Sequence, residues 1–184
     1  MARSIKVFVG HAWQKRQVEN IKSPVTWDQF WKSIRIKFID SCKTMQRKSG
    51  CRIEFARLKA SIGQYILPSV MRKIENADIL IFDVTNVDSV VSSHKMSAVD
   101  AGLNPNVLIE LGAAIALKKE VILMCSSAIK LPSDLSGIFV AKYVAAYKCG
   151  ELIRTFEDEK SVSAAFVGML RRAIRRNKVE EMVV

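Results

Sequence analysis

Residues 77–85 read ADILIFDVT. Four apolar residues, Ile79 to Phe82, stand in a row, and Asp83 closes them. So short a run, with no polar alternation, suits a strand covered on both faces, as in a parallel sheet. The same texture appears at residues 5–9, IKVFV, and at 121–126, VILMCS. Helical spacing fills the gaps between these strands. Thr26-Trp27-Asp28-Gln29 reads as a capping box. Phe30, Ile34, Phe38, Cys42 and Met45 follow as an apolar stripe, broadened by Trp27 and Trp31. CRIEFARL from residue 51 reads as a second strand. A helix over roughly 62–76 follows, with Pro68 starting its regular part or kinking it. Asn104 can cap the next helix, Pro105 fits its first turn, and Lys118-Lys119 end it. LPSDLSG (131–137) reads as a turn region and IFVAKYV (138–144) as a strand. A last helix covers about 160–177, with Val162, Phe166, Leu170 and Ile174 on one face.

Strand and helix alternate from the N-terminus onward. That order predicts an open, mainly parallel α/β sheet with helices on both faces. The length of 184 residues favours a single domain over 1–184. Ligands of such sheets bind beyond the carboxyl ends of the strands. Three segments should meet at that edge: Gly10 to Trp13 after the first strand, Asp83 after the central one, and Asn104 opening the next helix. The polar stretch 86–103 is long for a connection in a compact domain, which marks it as functional or mobile.

Composition narrows the function classes. The chain is 49% hydrophobic and 26% charged, as expected of a folded soluble protein. No apolar run reaches the roughly 18 residues that cross a bilayer. The N-terminal MARSIKVFVGHAW reads as a first strand rather than a signal peptide, so the expected location is cytoplasmic, without membrane attachment. The four cysteines (Cys42, Cys51, Cys125, Cys149) form no CxxC pair, and there are two histidines, His11 and His94. A zinc site of usual spacing is therefore unsupported, and reduced thiols are expected. The net charge is +11; Lys and Arg are spread widely, with one dense run, RRAIRRNK (171–178). That segment reads either as an anion- or nucleic-acid-binding surface or as a solvated helix face. The lack of interleaved aromatics favours the second reading.

No Walker loop, GxGxxG or GxSxG is present. What remains is a carboxylate pair, Asp83 and Glu110, with Asn104 and Asn106. Glu110 interrupts the apolar stretch GLNPNVLIELGAAIAL (102–117), six residues into the helix that Asn104 opens. A carboxylate near a helix N-terminus is favoured by the dipole. In a pocket it can attack an anomeric carbon, stabilise an oxocarbenium-like cation, or bind ribose hydroxyls. Glu110 can equally be a capping or salt-bridged residue, and Asp83 a strand-end aspartate bonded to loop amides. His11 reads as a plain loop histidine or a substrate contact, and Trp13 either stacks on a base or packs under the loop.

Taken together, ADILIFDVT, NPNVLIELGAAIALKKEVILMCSS and LPSDLSG resemble a bacterial superfamily with flavodoxin-like sheets. It joins the nucleoside 2-deoxyribosyltransferases to TIR-like nucleotide-binding domains. The resemblance covers about residues 66–137 together with KVFVGHA; residues 14–50 resemble nothing known. It implies a pocket for a nucleoside, nucleotide or dinucleotide. Glu110 matches the glutamate that attacks or stabilises the anomeric carbon, and Asp83 matches a substrate-positioning aspartate. Asn104 stands where the transferases usually carry aspartate, which points toward the TIR-like group. The expected activity is therefore N-glycosidic cleavage of NAD or a related nucleotide, with antiphage defence as its setting. Glu110 and Asp83 would be the catalytic pair, with Gly10, His11, Trp13, Asn104 and Asn106 binding substrate. Neither a metal nor a cofactor is expected, and self-association is expected to complete the site. The alternatives are a non-catalytic nucleotide-sensing or recruiting module, a nucleoside 2-deoxyribosyltransferase, and a nucleic-acid binder using the C-terminal arginines.

Overall fold

The structure is a computed structural model and describes residues 4–11, 27–57, 66–85, 102–135, 137–148 and 151–183. In chain order the elements are β1 (Ser4–His11), α1 (Trp27–Ser49), β2 (Arg52–Arg57), α2 (Ile66–Asn76) and β3 (Ile79–Asp83). They continue with α3 (Pro105–Ala116), β4 (Glu120–Ser126), β5 (Phe139–Lys148), β6 (Glu151–Phe156) and α4 (Glu159–Val183). One short 3-10 turn, Ser133–Leu135, precedes β5.

The strands form one sheet in the order β2-β1-β3-β4-β5-β6. All neighbours are parallel except β5 and β6. This is the flavodoxin-like open sheet that the sequence predicts. The chain moves outward from β1 to β2, then returns to place β3 on the other side of β1. That reversal opens a crevice beyond the carboxyl ends of β1 and β3.

Side chains alternate across the pleat, so every central strand feeds two cores. On one side Ile5, Val7, Val9, Ile79, Ile81, Ile122 and Met124 pack against α1 and α4, which supply Phe38, Cys42, Phe166 and Leu170. Phe38 and Phe166 meet edge to face with centroids 4.6 Å apart. On the other side Phe8, Leu80, Phe82 and Leu123 pack against Val70 and Ile74 of α2 and Val107, Leu111 and Ala114 of α3. Each fully buried aliphatic or aromatic side chain contributes about 1.5–3 kcal/mol of transfer free energy, and this double layer is the main stabilising term.

Several expectations needed adjustment. The sixth strand, β6, was not anticipated. It pairs antiparallel with β5, with Lys148 opposite Glu151, and Tyr143 opposite Phe156. The connecting Cys149-Gly150 lies outside the described residues, and ELIRTF has too little alternation to announce an edge strand. β5 runs four residues past the expected Val144, and α4 extends to Val183. Pro68 falls in the first turn of α2, where its missing N–H costs nothing. The Thr26 end of the capping box lies outside the described residues, as do residues 86–101. Cys42 and Cys125 are buried free thiols, pushed up by desolvation to about 12 and about 11. Among the described residues no helix is long and apolar enough to cross a membrane.

Candidate active site

The parallel register places Gly10 beside Phe82 and His11 beside Asp83 at the carboxyl end of the sheet. Gly10 is there because nothing larger fits. A Cβ at this position would fall 2.5 and 2.6 Å from Phe82 Cδ1 and Cε1, and 2.7 Å from Glu110 Oε2. The glycine thus lets both the Phe82 ring and the Glu110 carboxyl close in over the β1 backbone.

α3 holds Glu110 in that position. Its inward residues are Val107, Leu111 and Ala114, at i, i+4 and i+7. Glu110, at i+3, falls on the same inward side. The adjacent Ile109 is 58% exposed. Helix amphipathicity alone would prefer the reverse, with the isoleucine inside and the glutamate outside. Such a violation of the local rule is expected where a site requires it. Glu110 Oε2 is buried and has no hydrogen-bond partner among the described residues. Burial pushes the carboxyl from 4.5 up to about 7. Here the expectation drawn from the helix dipole is corrected. The dipole acts within the first turn, whereas Glu110 is the sixth residue of α3, where desolvation prevails.

The start of α3 follows the sequence reading. Asn104 is the N-cap, and its Oδ1 accepts from the N–H groups of Asn106 at 3.1 Å and Val107 at 3.2 Å. Pro105 occupies the first turn. The Asn104 N–H donates to Val84 O at 2.8 Å, which ties the cap to the end of β3. Because Oδ1 serves the cap, the side-chain amide is what Asn104 can offer a ligand. Asn106 is exposed beside it.

Asp83 is 2% exposed. Residue alternation along β3 sends it to the face opposite Phe82, and its partner Tyr143 belongs to the core under α1 and α4. The Tyr143 hydroxyl lies 3.1 and 3.2 Å from the two Asp83 oxygens and 2.8 Å from Thr85 Oγ1. Thr85 N–H donates to Asp83 Oδ1 at 3.1 Å, and Ser126 N–H donates to Thr85 Oγ1 at 2.9 Å. With one proton per hydroxyl, the network closes when Thr85 donates to Tyr143 and Tyr143 donates to the carboxylate. Asp83 and Glu110 therefore sit at one edge of the sheet but belong to opposite faces, each in its own environment: one carboxyl hydrogen-bonded, the other desolvated.

Of the remaining expected site residues, His11 is placed by its backbone as the last residue of β1, while its side chain lies outside the described residues. Trp13 lies outside them altogether. Phe82 and Tyr143 were not singled out from the sequence. Phe82 was hidden in an apolar run. The sequence signal for Tyr143 is faint: a phenol among apolar strand residues must find a polar partner when buried. Among the described residues no group of His, Cys, Asp and Glu is arranged to hold a metal.

The arrangement is a half-buried carboxyl, raised by desolvation to about 7, at the carboxyl edge of the sheet over Gly10 and near the Phe82 ring. It suits stabilising or attacking a centre of developing positive charge.

No match was found among curated proteins. A solved structure of a 2-deoxyribosyltransferase from the psychrotolerant bacterium Bacillus psychrosaccharolyticus aligns with 86% of this chain and 90% of its own. It does so at 15% identity and a TM-score of 0.40. Residues 6–145, from β1 into β5, match the family model described as the CAP12/Pycsar effector protein TIR domain. This chain, with the Gly10–Glu110 edge inside the matched span, belongs to that TIR-domain family.

Proposed function

We propose that the protein is an N-glycosidase that cleaves the base–ribose bond of NAD or a related nucleotide. The observation that carries the proposal is Glu110: half-buried, with its Oε2 atom enclosed and without a hydrogen-bond partner among the described residues, on the inward side of α3 at the edge where α/β sheets bind ligands. As the C–N bond breaks, positive charge develops at the anomeric carbon. The Glu110 carboxylate opposes that charge in a desolvated setting or attacks the carbon to form an ester. The base departs with the bonding electron pair, and water completes hydrolysis at the sugar. Nicotinamide in NAD already carries a positive charge. Its arrival would draw the Glu110 proton off, so that substrate binding itself generates the reactive carboxylate.

In this reading Asp83, held by Tyr143 and Thr85 inside the opposite face, positions the end of β3 behind the site rather than touching the sugar, and the Asn104 amide and Asn106 bind the sugar hydroxyls. His11 and Trp13 remain proposed contacts of the ribose or base. Metal and cofactor have no assigned part. Membership of an effector family supports a cellular role as an effector, with antiphage defence as the proposed setting. Self-association that completes the site belongs to the same proposal, and specific activity rising with protein concentration tests it.

The deciding experiment is product analysis with NAD, ATP and a panel of deoxynucleosides at high protein concentration. Free base with free sugar product indicates hydrolysis. Base exchange in the presence of an added acceptor base indicates transfer, the deoxyribosyltransferase alternative. Tight nucleotide binding with no product would replace the enzyme reading by a sensing module.

A further inference from the structure

The far end of the sheet holds a cavity that the proposed glycosidase does not use. It lies at the amino ends of β1, β3 and β4, has a volume of about 550 Å³, and shares no residue with the Gly10–Glu110 edge. Lys6, Lys118, Lys119, Arg176 and Asn177 line it, together with three acids, Glu75, Asp78 and Glu120. Two of those acids are engaged. Asp78 Oδ2 accepts the Lys6 N–H at 2.8 Å. Glu120 takes a two-pronged contact from Arg172 at 2.7 and 2.9 Å, with Arg176 at 3.9 Å.

The donors are in surplus. Lys119 Nζ donates to the carbonyls of Glu75 and Ala77 at the end of α2, and an ammonium has a third proton. Lys118 is exposed and sits at φ +53°, a left-handed conformation that glycine adopts at lower cost. Independently, Asn177 of α4 is 6% exposed, and its Nδ2 has no hydrogen-bond partner among the described residues. A buried donor without an acceptor is costly to the fold. The left-handed Lys118 is the C′ residue that ends α3, its N–H donating to Ile115 O at 2.9 Å and that of Lys119 to Ala114 O at 3.0 Å. It is the orphaned Asn177 donor, together with the lysines that line the cavity, that marks this end of the molecule as able to receive oxygen acceptors and negative charge.

We propose that the cavity at the amino end of the sheet is a second binding site, for a diphosphate group, free or carried by a nucleotide. A volume of about 550 Å³ falls in the range of small-molecule sites and accommodates a nucleotide. The Lys6 and Lys118 ammonium groups supply positive charge, set against the Glu75 and Asp78 carboxylates that also line the cavity, and Asn177, enclosed at its wall, holds the spare amide donor that a phosphate oxygen would satisfy on entering. This site is independent of the glycosidase reading, because binding here requires no chemistry at Glu110.

The test is calorimetric titration of the full chain at low salt with inorganic pyrophosphate and, separately, with ADP. Amide chemical shifts locate the bound probe. Saturable binding is expected, weakening with added salt, with shifts at residues 117–120 and at the Asn177 side-chain amide. Tighter binding of ADP than pyrophosphate assigns the site to a nucleotide, whereas equal binding assigns it to the free anion. Lys118→Gly with Asn177→Ala should lower affinity roughly ten- to a hundred-fold and leave the unfolding midpoint unchanged or raised. Lys6→Ala with Lys118→Gly, two exposed changes, should weaken binding even if the first pair folds poorly. Glu110→Gln should bind both probes as the parent does. Absence of saturable binding at millimolar probe, shifts confined to the Gly10–Asn104 edge, or full affinity in both double variants would overturn the proposal.

Discussion

Replacing Glu110 by glutamine keeps the shape of the side chain and removes its proton equilibrium, so the cost of burying the carboxyl becomes measurable as pH-dependent stability. Burial raises the folded-state value from 4.5 to about 7. Below pH 4.5 the group is neutral in both folded and unfolded chains, and its contribution is fully present. Between pH 4.5 and 7 the unfolded chain releases this proton while the folded chain retains it, so stability falls as pH rises. Above about pH 7 both forms are ionised and the loss is complete. At 1.36 kcal/mol per unit, a shift of this size is worth about 3 kcal/mol. Glutamine has no such dependence. The parent-minus-variant difference in unfolding free energy should therefore be flat below pH 4.5, fall by about 3 kcal/mol by pH 8, and then level off. For a chain of this length that corresponds to roughly 6–12 °C in Tm. Urea unfolding of both proteins across pH 4–9 measures the difference directly, and titration of every other group cancels. A constant difference would refute the desolvated carboxyl. A difference that rises with pH would mean that Glu110 is ionised and paired in the folded protein.

Four further outcomes follow from the same geometry. Gly10→Ala places a methyl group against Phe82 and Glu110 Oε2. It should cost about 1–3 kcal/mol in chemical denaturation and lower base release more than stability alone explains. Tyr143→Phe removes the hydroxyl between Asp83 and Thr85. A loss of about 1–3 kcal/mol is expected, since a buried carboxylate loses a donor, and a loss near zero would show that the network carries no stability. At the helix cap, Asn104→Ala should cost about 1 kcal/mol, while Asn104→Asp should preserve or raise stability because it retains the acceptor and adds charge favoured by the dipole. Finally, kcat/KM for a cationic N-glycoside should rise with pH through about 7, following the free carboxyl. The kcat profile should turn at lower pH, where the bound cation has lowered the value.

Most of the fold is legible because a parallel sheet makes its strands apolar on both faces. ADILIFDVT, IKVFV and VILMCS declare themselves as β3, β1 and β4, and the rule for open sheets then points to the carboxyl edge of β1 and β3 as the place for a site. Asn104-Pro105 marks the start of α3 through local chemistry alone. What escaped was non-local. β6 is an edge strand whose alternation is too weak to stand out, and its evidence is the pairing with β5. The sequence presents Asp83 and Glu110 as a pair, but one residue of pleat separates their faces, and only the sheet register shows that Phe82, not Asp83, shares a face with Gly10. The inward turn of Glu110 is likewise a matter of packing. Val107, Leu111 and Ala114 fix the helix rotation, and Ile109 is left exposed as a consequence. Tyr143 could not be linked to Asp83 across 60 residues without the fold. The cavity at the amino end is assembled from four separate segments and has no motif at all.

The central claim is that the Glu110 carboxylate breaks an N-glycosidic bond. The most direct measurement is the rate of free-base release from NAD and from the other nucleotides at pH 8, for the parent and for Glu110→Gln. The two would be compared at equal concentration after unfolding curves show that both are folded. The account predicts release by the parent and a loss of at least about a hundred-fold in the variant, as expected when a group acting on the reacting atoms is neutralised. Base release by the variant at the parent's rate would contradict it and leave Glu110 as a buried acid with no part in the chemistry.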